Sequence, residues 1–286
     1  MAVDTQTLRF LIEAKRSGAC FDRFLMIGRQ RLHVSLAELR HTLPRSQFSL
    51  PSELASEDEA RALREGRWFI EPVLRSLGAR EIHSLDYSAY EQATILHDLN
   101  QPIPDRLNGA FSCVFDGGSL EHVFQFPQAI KNCMEMVSVG GHFLGVEGAN
   151  NFMGHGFYQF SPELYYRIFS KQNGYEVEEM IMCEHERGTP FYRVSDPEVV
   201  GHRVECVNTR RTYLMVRARK LRTAEIFAAA PQQSDYVAEW SRGTQGERRF
   251  SRVRALVPER VKRALRSFKV LHCAVRPFRS EGFREM

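Results

Sequence analysis

The chain has 286 residues and a hydrophobic content of 43%, enough to build one α/β domain of ordinary size plus an appendage. No apolar run approaches the roughly 18–20 residues of a membrane span, and the opening MAVDTQTLRFLIEAK carries acids early without an uninterrupted apolar stretch. These features exclude a membrane-spanning reading and a secretory signal, and they make the cytosol the expected location. The net charge of +4 is unevenly placed: Arg222 to Met286 carry 14 Lys/Arg against 7 Asp/Glu, so residues 1–221 are slightly acidic.

In chain order, Thr5 to Arg16 has the apolar spacing of a short helix that Gly18 ends. Phe24 to Ile27 is a compact apolar run closed by Gly28-Arg29-Gln30 and reads as the first strand. An excursion follows from Arg31 to about Ser56, with a helical pattern over Leu32 to Leu43. A second helix is expected over about Ser56 to Leu77, with Trp68, Phe69 and Leu74 facing the core and Gly78 as its stop. Ile82 to Asp86 is the second strand and ends in an acid. Ala93 to Leu96 is the third, followed by His97-Asp98-Leu99-Asn100. Phe111 to Phe115 is the fourth, with its helix over Phe124 to Val137.

After a Gly140-Gly141 turn, His142 to Val146 is the fifth strand. Ser161 to Gln172 is a helix with a serine cap and a proline in its first turn. Val177 to Cys183 and Thr212 to Ala218 are the last two strands, with no helix between them. The pattern implies a mostly parallel sheet with an antiparallel edge strand. In such a sheet, Asp116 to His122 and Glu147 to His155 stand at the carboxyl ends of two successive strands, where open α/β sheets bind ligands.

The domain is expected to close at about residue 221, and 222–286 reads as a basic, partly helical C-terminal extension. Its helix, about Pro258 to Val270, has Val261, Leu265 and Phe268 on one face and Arg260, Lys262, Arg263, Arg266 and Lys269 around the others. It fits an anionic partner, a peripheral membrane surface or simple solvation. A nucleic-acid partner is not expected, because the tail has neither a groove-reading motif nor an aromatic platform. The six cysteines show no CxxC pair, and histidines 83, 97, 122, 142 and 155 show no HxxxH or HxH spacing. Neither a disulfide framework nor a metal is expected.

The order of seven strands, with Phe111-Ser-Cys-Val-Phe-Asp116, Leu120-Glu121-His122-Val123 and Val139-Gly140-Gly141-His142-Phe143 in sequence, resembles the class I S-adenosylmethionine-dependent methyltransferases. The LEHV and GG segments are similar to the small-molecule and sugar-modifying branch. The resemblance covers roughly residues 20 to 220 and implies a Rossmann-like seven-stranded fold with S-adenosylmethionine as methyl donor. It implies that Asp86 binds the donor's ribose, that Asp98 lies near its adenine, and that Asp116, Gly117 and Gly118 lie under its amino acid and methyl group. A carboxylate with two acceptor oxygens suits a vicinal diol, and paired glycines permit close backbone approach.

His122 is the first general-base candidate for a hydroxyl acceptor, because imidazole titrates near neutral pH, and His155 is the second. Glu121, Asn150, Asn151, Tyr158 and Gln159 are expected to reach the acceptor. The chain departs from the family after the first strand, where Gly28-Arg29-Gln30 replaces a glycine-rich loop. There Gly28 and Arg29 are the donor-binding candidates, Arg29 either pairing with the donor's carboxylate or obstructing its pocket. Two functions follow: a methyltransferase acting on a small acceptor such as a sugar hydroxyl or glycan, or a non-catalytic module of that fold that binds a partner in a glycan-assembly complex.

Overall fold

The computed structural model describes residues 2–242, 278 and 282–286. A short parallel pair, β1 (Ala2–Val3) with β3 (Arg31–Leu32), stands apart from the main sheet. The main sheet contains β2 (Arg23–Ile27), β4 (Glu81–Asp86), β5 (Ile95–Leu96), β6 (Phe111–Asp116), β7 (Val137–Asn150), β8 (Tyr175–Glu184), β9 (Tyr192–Val194), β10 (Thr212–Lys220) and β11 (Phe283–Glu285). Across the sheet the order is β11-β9-β8-β10-β7-β6-β2-β4-β5.

All seven expected strands are present, and β2, β4, β5, β6 and β7 run parallel. The antiparallel part is wider than a single edge strand. β10 lies three places in, antiparallel to both β7 and β8, and β9 and β11 continue the antiparallel pairing from β8 to the sheet's edge.

Alternation along the strands feeds two apolar layers. Phe24, Met26, Cys113 and Phe115 join Phe10 and Leu11 of α1 (Thr5–Arg16) on one face. Leu25, Ile27 and Val114 join Ile130 and Met134 of α5 (Phe126–Met136) on the other. Both faces of β6 are therefore covered, which is why FSCVFD is almost continuously apolar instead of alternating. Each such large side chain contributes roughly 1.5–3 kcal/mol by leaving water.

The excursion after β3 folds as α2 (Leu36–Arg45), held at its start by a reciprocal Ser35–Glu38 capping box. The single helix expected over 56–77 is instead two, α3 (Glu57–Arg64) and α4 (Glu71–Ser76). The break has a backbone cause: Leu32 N donates to Trp68 O (2.8 Å) and Ile70 N donates to Gln30 O (3.1 Å), so residues 68–70 pair with the chain leaving β2. Trp68 and Leu74 are buried as expected. The Gly140-Gly141 pair lies inside β7, and a Cβ on Gly141 would meet Ser112 O at 2.6 Å. Only glycine allows β6 and β7 to approach this closely at the register shift between them.

The short helices α6 (Pro162–Ile168) and α7 (Pro197–Val200) precede α8 (Ser234–Arg242). The described part of the C-terminal segment is not detached from the domain. Ile226 and Phe278 are buried in the core, Ser234 N donates to Glu163, and β11 pairs with β9. A boundary at 221 therefore does not separate this segment from the sheet. The basic helix expected over 258–270 lies outside the described residues. No described helix is long and apolar enough to cross a membrane.

One interior cation is structural. Lys220 Nζ donates to Met134 O (2.9 Å), Glu135 O (3.3 Å) and Val137 O (2.7 Å), carbonyls where α5 passes into β7. Lys220→Met keeps the stem but removes the ammonium from Val137 O, while Met134 O keeps the Tyr175 hydroxyl and Glu135 O keeps Gly109 N, and is expected to cost about 2 kcal/mol in a urea melt. A loss below about 0.5 kcal/mol would show that the ammonium does not hold the helix end.

Candidate functional site

The chain runs outward from β2 to β4 and β5, then returns to the other side of β2 with β6. The strand order thus reverses beside β2, and a crevice opens at the carboxyl ends of the strands. There a cavity of about 320 Å³ is lined by Ile27, Gly28, Leu85, Asp86, Tyr87, His97, Asp98, Leu99, Asn100, Gly118, Ser119, His122 and Val123. Its floor is the backbone at the end of β2. Gly28 has φ +69°, its N–H donates to Leu85 O (2.8 Å), and a Cβ there would meet Ser119 Oγ at 2.9 Å. Ser119 Oγ itself donates to Ile27 O (2.8 Å).

On one wall Asp86 is half-buried, and its carboxylate accepts from Ser88 N (3.2 Å). Opposite, Asp98 Oδ1 accepts from both Asn100 N (2.9 Å) and Asn100 Nδ2 (2.7 Å), bonds that hold its carboxyl below the ordinary carboxylate range.

Beneath the cavity lies an acid cluster that the chain leaves without a lysine or arginine partner among the described residues. Asp116, Glu121 and Glu147 are all buried, and one carboxylate oxygen from each falls within 4.8 Å of the others. Asp116 accepts from Ser119 N (2.8 Å) and Leu120 N (3.1 Å), tying the end of β6 to the turn over Leu120–His122. Glu121 and Glu147 accept from no N–H or O–H, and the Tyr165 hydroxyl is also buried without a bond.

Burial raises the Asp116 carboxyl, opposed by those backbone bonds. Burial and the neighbouring Asp116 raise Glu121 to about 7. Burial, then Asp116 and Glu121, push Glu147 well above the carboxylate range. Carboxyl groups this close cannot all ionise together, so the cluster favours retention of a proton, with Glu147 pushed up most strongly.

His122, on the cavity wall, and His155, on the loop after β7, meet edge to face with ring centroids 5.0 Å apart. His155 Nε2 stands 3.5 Å from Glu121 Oε1. The loop is clamped to the turn, since Phe157 N donates to Glu121 O (2.7 Å) and Gly156 has φ +71° with Glu121 O 2.8 Å from where its Cβ would be. Burial, then the adjacent His155, lowers the His122 imidazole, and burial chiefly lowers His155. Both shifts favour the neutral ring, which has a nitrogen able to accept a proton or ligate a cation. Beside them Phe124 and Phe157, each 66% exposed, pack edge to face at 5.8 Å.

No family model matches this chain, and neither does any curated protein. Solved structures similar to it include the Bacillus halodurans protein BH2331, 10% identical, with 74% of this chain and 98% of that one covered and a TM-score of 0.41. Another is the N-methyltransferase NodS of Bradyrhizobium japonicum, 12% identical over 76% of this chain and 96% of that one, TM-score 0.39. A third is the branched-chain polyamine synthase of Thermus thermophilus, solved with N4-aminopropylspermidine and 5′-methylthioadenosine: 13% identity, 79% of this chain but 58% of that one, TM-score 0.39. These likenesses are of general architecture, and the assignment rests on the chain's own order β5-β4-β2-β6-β7-β10-β8 with β10 reversed. The fold is Rossmann-like.

Within this fold the expected site residues divide. Gly28, Asp86, Asp98, Gly118 and His122 line the cavity. Arg29 does not: its guanidinium bonds Glu71 Oε1 (2.6 Å) and Glu91 O (3.1 Å) and lies 3.9 Å over the Phe69 ring, so it neither lines the cavity nor obstructs it. The position behind β2 is filled instead by Gln30, 1% exposed, whose Nε2 donates to Ile27 O (2.9 Å) and whose side chain lies 3.0 Å from where a Gly117 Cβ would be. Gly117 therefore serves this packing, and Asp116 lies below the cavity rather than in its wall.

The residues expected to reach an acceptor mostly hold the loop. Asn150 and Asn151 bond Asn208, Tyr158 donates to Phe124 O (2.7 Å), and Gln159 accepts from Phe152 N (2.9 Å). Glu121 is buried and faces His155. Glu147 and Gln30 are read from the sequence only as the start of a strand-end segment and the end of the Gly28-Arg29-Gln30 turn, with no role of their own. Glu147 had a signal, an ionisable residue inside the apolar run His142-Phe-Leu-Gly-Val-Glu147, whereas Gln30 had none.

Proposed function

We propose that this chain is an S-adenosylmethionine-dependent methyltransferase acting on a small hydroxyl-bearing acceptor. The observation that carries the reading is the cavity at the reversal of strand order, with a half-buried carboxylate at the end of its second strand and the His122 imidazole in its wall. The donor fits this surface chemically. Asp86 has acceptor capacity left after Ser88 for a ribose diol, and Gly28 and Gly118 keep the floor free of side chains.

When bound, S-adenosylmethionine supplies a methyl carbon activated by its sulfonium. His122, with His155 behind it, accepts the acceptor's hydroxyl proton as the new C–O bond forms. Crevice walls that hold both reactants in line supply several kcal/mol of the rate enhancement. The exposed Phe124–Phe157 pair beside the histidines offers a flat apolar surface to a sugar ring, which supports a sugar or glycan acceptor.

A second reading, a non-catalytic binding module of the same fold, is favoured by one observation. Gln30 fills the space behind β2 where the family has a glycine-rich loop. Calorimetric titration of the folded chain with S-adenosylmethionine and S-adenosylhomocysteine separates the two readings. Saturable binding of both, at micromolar Kd, is expected. Absence of binding to either by protein with a native circular dichroism spectrum would overturn the enzyme reading in favour of the module.

A further inference from the structure

We infer that Glu121, His122 and His155 form a binding site for one divalent transition-metal ion, of the class of Zn²⁺ or Co²⁺, at the wall of the crevice. The three lie in two loops brought together by the fold, and their ligand atoms all fall within 4.8 Å of one another. Donors around a single ion at about 2.0–2.2 Å stand somewhat closer than that, a gap that rotation of the exposed His122 side chain can close.

Three observations point to a cation. Glu121 is 1% exposed, yet both of its carboxylate oxygens lack a hydrogen-bond donor. His155 Nε2 is likewise without a hydrogen bond, and at 3.5 Å from Glu121 Oε1 the two groups face each other without forming one. No lysine or arginine among the described residues forms an ion pair with Glu121.

One ion would satisfy the carboxylate and both imidazoles together. Two imidazoles and one carboxylate suit a borderline transition metal better than Mg²⁺, which prefers oxygen ligands alone and keeps its waters. Because His122 also lines the cavity, the ion's remaining positions would face the crevice, and with the ion bound His122 and His155 would act as ligands in place of the proton acceptor proposed above. The inference does not depend on donor binding, since the ion can be titrated alone.

The test uses the full chain stripped with a chelator and titrated calorimetrically with ZnCl₂, CoCl₂ and MgCl₂ near pH 7.5. One Zn²⁺ per chain is expected, with Co²⁺ giving visible ligand-field absorption and Mg²⁺ binding far more weakly. His122→Ala and His155→Ala are each expected to weaken Zn²⁺ binding at least about tenfold and to remove the Co²⁺ absorption. His83→Ala should leave both unchanged. Both ligand histidines are at least partly exposed, so their variants are expected to keep the native circular dichroism spectrum. Absence of saturable Zn²⁺ binding overturns the inference. So does Zn²⁺ affinity unchanged in the His122→Ala/His155→Ala double variant, which would place the ion elsewhere, for example on the exposed Cys20.

Discussion

Replacement of Asp86 by alanine is expected to weaken binding of S-adenosylhomocysteine by roughly 100-fold while leaving the fold intact. The carboxylate ends β4 at the cavity wall, and its one hydrogen bond, from Ser88 N at 3.2 Å, is at the long end of the range. Two charge-assisted bonds to a ribose diol are worth about 3 kcal/mol together, which sets the expected factor. Because the local bond is weak, the variant should lose less than about 1 kcal/mol in a denaturant melt. Asp98→Ala is the informative contrast. Its carboxylate is already engaged by Asn100, so a change of only a few-fold is expected. Affinity within about threefold of wild type for Asp86→Ala would rule out the ribose role and, with it, the assignment of the donor's orientation.

The second large effect is on stability against pH. Glu121 is raised to about 7 and Glu147 well above the carboxylate range, whereas both titrate near 4.5 when unfolded. Between those values the native state keeps protons that the unfolded state has released. The stability contributed by each group is therefore complete below about pH 4.5 and is lost as pH rises through its folded value, by about 1.4 kcal/mol per pH unit while it lasts. The buried imidazole of His142 has the opposite sign: its pKa is lowered, and its contribution grows as pH rises toward 6.5. The difference between variant and wild type isolates the acid cluster. Glu147→Gln removes one titrating group and keeps an N–H able to donate to Asp116. In chelator-containing buffer the variant should melt at a temperature close to that of wild type at pH 5 and several degrees higher at pH 8. Parallel melting curves for the two proteins across this range would mean that Glu147 is not protonated in the native state.

Much of the architecture was legible because its signals are local. The seven strands were marked by short apolar runs ending in turn residues, and Asp86 could be assigned to a strand end from Ser84-Leu85-Asp86-Tyr87 alone. The break between α3 and α4 was not legible. It depends on backbone bonds from Leu32 and Ile70 to residues distant in the chain, and the apolar spacing of 56–77 is equally compatible with one helix. The fate of Arg29 was similarly hidden. Charge and position suited a donor carboxylate, but Glu71 and Phe69 claim the guanidinium first. For the loop after β7, polarity suggested contact with an acceptor, whereas Asn150, Asn151, Tyr158 and Gln159 chiefly bond the protein itself.

The amino-acid sequence determined the strand-and-helix alternation, the crevice at the carboxyl ends of β2, β4 and β6, and the glycines that let the backbone approach there. These follow from period, turn chemistry and chain order, which act over a few residues at a time. Tertiary structure alone decided the charge environment of that crevice. Asp116, Glu121, Glu147, His122 and His155 come from separate strand ends and loops, and their spacing along the chain resembles no acid cluster or metal motif. Packing β7 beside β6 and clamping Gly156 against Glu121 removes water from these groups and sets them within a few ångströms of one another. Protonation, hydrogen bonding and ligand affinity all depend on that separation and dielectric, so they are properties of the fold and not of the sequence pattern.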